Sequence, residues 1–139
     1  MIHEKSCGAV IWRKPLAKPL EYLILQHRAG HWAFAKGHVE NDETEHETAS
    51  REIMEETGLN VSFHPSFRET TSYSPRAQVE KTVVYFLAEA PREASLELQA
   101  EEISQGLWLP YDKAIKHLSY PNDQAILRQA HDCLEHEKI

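Results

Sequence analysis

The run Gly37-His38-Val39-Glu40-Asn41-Asp42-Glu43-Thr44-Glu45-His46-Glu47-Thr48-Ala49-Ser50-Arg51-Glu52-Ile53-Met54-Glu55-Glu56-Thr57-Gly58-Leu59 organises everything around it. Thr44 and Glu47 are spaced as a capping box, and Gly58 stands where a left-handed stop is expected, so a helix over Glu45–Thr57 is predicted. At roughly 100° per residue, Glu52, Glu55 and Glu56 share one stripe about 100° wide. Glu52 and Glu56 form a like-charge i,i+4 pair, and Glu55 and Glu56 sit near the helix C-terminus, where the macrodipole favours cations. Two readings compete. Most acidic runs on helices are solvated faces. Alternatively a hard divalent cation, Mg²⁺ or Mn²⁺, offsets the crowding with oxygen ligands. The neighbours favour the second: Ala49 and Ile53 form an apolar stripe for docking on a sheet, and Arg51 can reach Glu47 or Glu55. Just upstream, Lys36-Gly37-His38 supplies a cation and a backbone that a ligand can approach closely.

Working outward, the apolar runs Cys7–Trp12 and Tyr22–Gln26 read as two strands joined by the Pro15- and Pro19-containing loop. Gly30–Val39 is polar, aromatic and irregular. Val61–Thr71 and Val79–Ala88 read as strands, the second apolar on both faces near its end and therefore central. Leu107–Leu109 reads as a short last strand ended by Pro110. Asn122–Glu135 has helical spacing of Ala125, Ile126, Gln129, Ala130 and Cys133, and Tyr111–Leu118 is a weaker helical segment. Strands mixed with few helices predict an α+β domain, an α/β/α sandwich.

The 139 residues suit one domain, residues 1–139. A hydrophobic share of 41% against 27% charged residues excludes a disordered chain. The formal net charge of −7 argues against duplex nucleic acid as partner, since that binding needs clustered Lys and Arg; a small polyphosphate in a local basic pocket is compatible with it. Cys7 and Cys133 lack metal-ligand or disulfide spacing, and His27, His31 and His38 show no zinc pattern. With no secretory leader and no long apolar run, the chain reads as cytoplasmic, with no membrane contact and no obligate protein partner.

Gly37, five residues to Glu43, seven more to Arg51-Glu52-Ile53, then Glu55-Glu56 and Gly58-Leu59 match the Nudix box at each of its nine defined positions. The chain therefore resembles a Nudix hydrolase, a single domain in which helices sandwich a mixed sheet. The resemblance implies hydrolysis of a nucleoside diphosphate linked to another moiety. It points to Glu52, Glu55, Glu56 and the Gly37 carbonyl as metal ligands, Arg51 as their orienter, and Glu52 or Glu56 as base. Glu102, in preference to Glu101, is the candidate for a further metal-site carboxylate from a later loop.

Gly30-His31-Trp32, Lys36-Gly37-His38-Val39-Glu40, Arg68-Glu69, Tyr73 and Lys81-Thr82-Val83-Val84-Tyr85 resemble the asymmetric bis(5′-nucleosyl)-tetraphosphatases, which implies cleavage of diadenosine tetraphosphate to ATP and AMP. On that likeness His31, Lys36 and Lys81 hold the anionic chain, and Tyr73 and Tyr85 stack on adenine. Ala35 replaces the proline common before the lysine, and Asn41-Asp42 replaces a glycine-containing turn. Another nucleoside diphosphate derivative (a modified nucleoside triphosphate, an RNA 5′ end or a nucleotide sugar) is the alternative substrate. A non-catalytic nucleotide-binding module is a third reading, against which all three box carboxylates stand.

Overall fold

The two most apolar segments run side by side and parallel. In the computed structural model, which describes residues 1–137, β1 (Ile2–Arg13) pairs with β6 (Val79–Glu89) from Ile2↔Val79 to Trp12↔Glu89. Parallel strands need both faces covered, and alternation along these two supplies two cores. Cys7, Ala9, Ile11, Val84, Phe86 and Ala88 enter one. Val10, Val83, Tyr85 and Leu87 enter the other.

The remaining strands are β2 (Glu21–His27), β3 (Trp32–Ala33), β4 (Ala35–His38), β5 (Ser62–Arg76) and β7 (Ile103–Pro110), and the sheet order is β3-β2-β1-β6-β5, with β4 on β1 and β7 on β2. Helix α1 (Glu45–Thr57) closes the first core with Ala49 and Ile53. Helices α2 (Tyr111–His117) and α3 (Pro121–His136) close the second with Ala114, Ile126, Leu127, Ala130 and Leu134. This is the expected α/β/α sandwich around a mixed sheet.

The box helix has the predicted bounds and caps. Thr44 Oγ1 accepts from the Glu47 N–H at 3.1 Å, and Glu47 accepts from the Thr44 N–H at 2.8 Å. Gly58, at φ 73°, donates its N–H to Met54 at 2.9 Å. The two strands joined by the Pro15- and Pro19-containing loop pair with one another only at Trp12↔Tyr22 and Arg13↔Glu21. Beyond these pairs the strands diverge: β1 takes β4 over Ser6–Ala9, and β2 takes β7. The segment read as irregular, Gly30–Val39, thus contains two short strands: β3 pairs back on the nearby end of β2, whereas β4 pairs with β1, far off in sequence, and neither is long enough to leave a local period. Among the described residues no helix is long and apolar enough to cross a membrane.

Candidate active site

Arg51 gathers the acidic groups at the mouth of α1. Its Nε and Nη2 donate to Glu43 at 2.7 and 3.1 Å, Nη1 donates to Glu52 at 2.9 Å and to Glu55 at 3.2 Å, and Nη2 also reaches the His38 carbonyl at 3.0 Å. Of the two expected partners, Glu55 is met and Glu47 is not: its carboxylate is spent on the cap. Glu43 is instead the principal partner. It also accepts from Thr48 and from the Glu40 N–H, and Arg51 holds its carboxyl down at about 2.

Gly37 is needed for close approach. A Cβ there would lie 2.0 Å from the Glu52 carboxyl carbon, so any side chain would expel Glu52 from its place against the β4 backbone. Glu56 is buried and accepts the Lys36 N–H at 3.3 Å. Burial and the adjacent Glu52 carboxylate push Glu56 up to about 8; burial also raises Glu52, with Arg51 opposing. The crowding inferred from helical spacing is therefore real; Arg51 relieves it at Glu52 and Glu55 but forms no bond to Glu56.

Glu52, Glu55, Glu56 and Gly37 line a cleft of about 500 Å³, which Glu102 and Gln99 also line, with His31, Lys36 and Lys81 among its basic groups. Ser6 also lines it, and its buried hydroxyl has no hydrogen-bond partner among the described residues. Three carboxylates and a carbonyl form an all-oxygen donor set suited to Mg²⁺ or Mn²⁺, and the raised Glu56 and Glu52 show which charges such an ion would offset. Lys81 is lowered by burial first and by Lys36 second. Two cations held close together in one cleft are relieved by a bound polyanion.

A second cavity of about 460 Å³, on the α3 side of the sheet, is lined by Tyr73, Tyr85, Tyr120 and Asp123 and also by His31 and Lys36. Those last two residues border both spaces, so the carboxylate cleft and the aromatic cavity adjoin. Tyr73 is 40% exposed and suited to stacking. Tyr85 is not: at 1% exposure it belongs to the core, edge-on to Phe34 at 5.4 Å, with its strand buried on both faces. It forms cavity floor rather than a stacking platform. His31 lies parallel to His27 at 4.7 Å, and burial ahead of the Lys36 charge keeps it toward the neutral form, a hydrogen-bonding group.

Tyr120 and Asp123 escaped the sequence reading. Tyr120 precedes the Pro121 that opens α3, and its ring lies 5.6 Å from His31. What brings it there is a reciprocal pair of bonds: the Trp32 N–H donates to Ser119 Oγ at 2.8 Å, and the Ser119 N–H donates to the Trp32 carbonyl at 3.1 Å. The only local signal was an aromatic residue in the N-cap position with no side-chain capping bond to make.

A mixed sheet between helices, with a glutamate-lined helix N-terminally joined to a close-approach glycine, defines the Nudix class, and residues 4–130 match the NUDIX domain family. The chain belongs to that family. It is 34% identical over 141 aligned positions to the asymmetrical bis(5′-nucleosyl)-tetraphosphatase of Mus musculus, covering 94% of this chain and 95% of the relative. The Ap4A hydrolase of C. elegans, in a binary complex, superposes with a TM-score of 0.87 at 31% identity, over 96% of this chain and 98% of the other. An 8-oxo-(d)GTP phosphatase of Mycolicibacterium smegmatis is 30% identical over 90% of this chain, which spans 40% of that protein.

Proposed function

We propose that this chain is a divalent-cation-dependent hydrolase of dinucleoside polyphosphates, splitting diadenosine tetraphosphate into ATP and AMP as one domain. The observation that carries this reading is the shared border of the two spaces: His31 and Lys36 line both the carboxylate cleft and the aromatic cavity. A substrate with a base at one end and a long anionic chain fits two such adjoining spaces. The tetraphosphatase and Ap4A hydrolase relatives, matched over nearly their full lengths, support it.

Glu52, Glu55, Glu56 and the Gly37 carbonyl would hold Mg²⁺ or Mn²⁺, with Glu102, which lines the same cleft, as the further carboxylate. When bound, the ion supplies charge neutralisation at the phosphoanhydride and eases ionisation of water. Arg51 keeps Glu52 and Glu55 aimed into the cleft. Glu52 or Glu56 takes the proton from the attacking water. Lys36, Lys81 and His31 bind the polyphosphate, and Tyr73 with Tyr120 supplies the aromatic surface for a base, worth about 1–3 kcal/mol per stacked base. Cys7 and Cys133 are free thiols, in keeping with a reducing, cytoplasmic setting.

The test is a substrate panel with Mg²⁺ and product identification: dinucleoside polyphosphates, 8-oxo-dGTP, nucleotide sugars and capped RNA. ATP plus AMP from diadenosine tetraphosphate, at the highest kcat/KM of the panel, is expected. A large preference for 8-oxo-dGTP or another mononucleotide derivative overturns the assignment of substrate while keeping the metal site, and absence of turnover on the whole panel overturns the enzyme.

A further inference from the structure

Asp123 is the one acidic residue lining the aromatic cavity, and nothing in the hydrolytic reaction accounts for it. It stands in the first turn of α3, only 6% exposed. An acid in that turn is ordinarily explained by capping or by the helix dipole. Here no side-chain capping bond is formed at the α3 N-terminus, and the dipole favours an exposed acid as well as a buried one. Among the described residues the only hydrogen bond to its carboxyl comes from the Tyr85 hydroxyl at 3.4 Å, at the long limit of such bonds. Buried carboxylates normally accept several short hydrogen bonds or meet a cation directly. Asp123 thus brings largely unused acceptor capacity to the wall of a cavity whose other polar contacts are tyrosines, His31, Lys36, Thr71 and Asn122.

We propose that Asp123 reads the base: its carboxylate accepts hydrogen bonds from the amino edge of a purine stacked in the Tyr73–Tyr120 cavity, so the pocket ranks guanine first, adenine second and uracil last. This rests on the dinucleoside polyphosphate reading above and adds its base specificity. Guanine offers two adjacent donors, N1–H and the 2-amino group, matched to the two oxygens of a carboxylate. Adenine offers its 6-amino group but sets the N1 lone pair beside it. Uracil offers one N–H flanked by two carbonyl oxygens, which repel a carboxylate. A good bidentate pair of this kind discriminates against the wrong base by about tenfold or more.

The experiment measures kcat/KM for diguanosine, diadenosine and diuridine tetraphosphates with the native chain and with Asp123→Asn, alongside calorimetric binding of GMP, AMP and UMP to both. Asparagine keeps the shape but exchanges one acceptor for a donor. We expect the native chain to favour the guanosine over the uridine substrate at least about tenfold, with adenosine between. Asp123→Asn should lower the guanosine value by a similar factor, raise the adenosine value, since the amide oxygen accepts from the 6-amino group while its N–H donates to the N1 lone pair, and narrow the guanosine-to-uridine ratio. Equal efficiency on all three substrates by the native chain, or one common factor of loss in the variant, overturns the proposal and makes Asp123 a structural acid. Should Asp123→Asn not fold, Asp123→Ser goes through the same panel with the same expected guanosine loss. GMP, AMP and UMP binding in the proposed order without cleavage of any tetraphosphate overturns the hydrolase reading alone; cleavage of all three without ranking overturns the base reading alone.

Discussion

Arg51 is the residue on which the acidic wall depends. It donates to three glutamates and one carbonyl, which requires the planar guanidinium fork and not merely a positive charge. Arg51→Lys keeps the charge and loses most of those bonds, so kcat should fall about tenfold to a hundredfold, the scale expected when a reacting geometry is loosened, and half-activation should need more Mg²⁺. Initial rates across a Mg²⁺ titration check both; unchanged metal dependence would remove Arg51 from the positioning of Glu52 and Glu55. Glu56→Gln should lower kcat by at least about a hundredfold, as for loss of an acid–base or metal-holding group, and near-normal turnover would exclude it from the reaction. Lys81→Ala should raise KM for the tetraphosphate with the melting temperature unchanged, because Lys81 lies in the cleft beside Lys36; unaltered kinetics would mean that its stem merely covers apolar surface. At this scale the acidic wall could be read beforehand, since Glu52, Glu55 and Glu56 are a turn apart and helical spacing fixes their common side. Tyr120 and Asp123 could not, because their place is set by bonds from Ser119 to Trp32, 87 positions apart in the chain.

Helix α1 and the short strands beside it show the same contrast between elements. Every determinant of α1 is local: the capping box, the glycine stop, and the Ala49–Ile53 stripe. Strands β3 and β4 span two and four residues and owe their form to β2 and β1. Two consequences concern α1. Thr44→Ala removes one half of the capping box and should cost about 1 kcal/mol, seen as a melting temperature lower by about 3 °C. Glu45 ties the start of α1 to the sheet, accepting two bonds from Arg68 at 2.8 Å and an ion pair from Lys5 at 2.6 Å. Arg68 first, then Lys5, holds its carboxyl at about 2, below the ordinary 4.5. A carboxyl lowered on folding stabilises the native state fully above about 4.5, and that contribution is lost as pH falls toward about 2. Glu45→Gln should therefore lower the melting temperature at pH 7 by an amount that shrinks through this window and vanishes near pH 2. A difference that stays constant with pH would show that Glu45 acts by packing rather than by charge.

Across the whole molecule, the sheet separates two jobs. The acidic wall is carried on α1 over one core, the aromatic cavity is closed by α3 over the other, and His31 and Lys36 line both spaces. The net charge of −7 hides this local arrangement, in which Lys36 and Lys81 line the same cleft as Glu52 and Glu56. A third titratable cluster, His64, Cys133 and Glu137, lies within metal-binding range, but its histidine is already committed. His64 Nδ1 accepts the Ser66 N–H at 3.1 Å, so Nε2 carries the proton and faces Glu137. That contact pins the end of α3 to β5 and leaves no lone pair there for an ion. If base binding and metal positioning are carried by opposite layers, their defects should combine independently. Tyr120→Ala removes stacking surface at one end and should raise KM about tenfold with kcat little changed, the lower range for loss of a stacked base. Arg51→Lys disturbs the other end and should act on kcat. In the double variant the two losses in kcat/KM should multiply, to within the roughly 0.5 kcal/mol typical of sites without shared partners. A double variant far better or worse than that product would mean that the shared residues transmit strain between the layers, and Lys36, whose N–H bonds Glu56 and which also lines the aromatic cavity, would be the residue through which it passes.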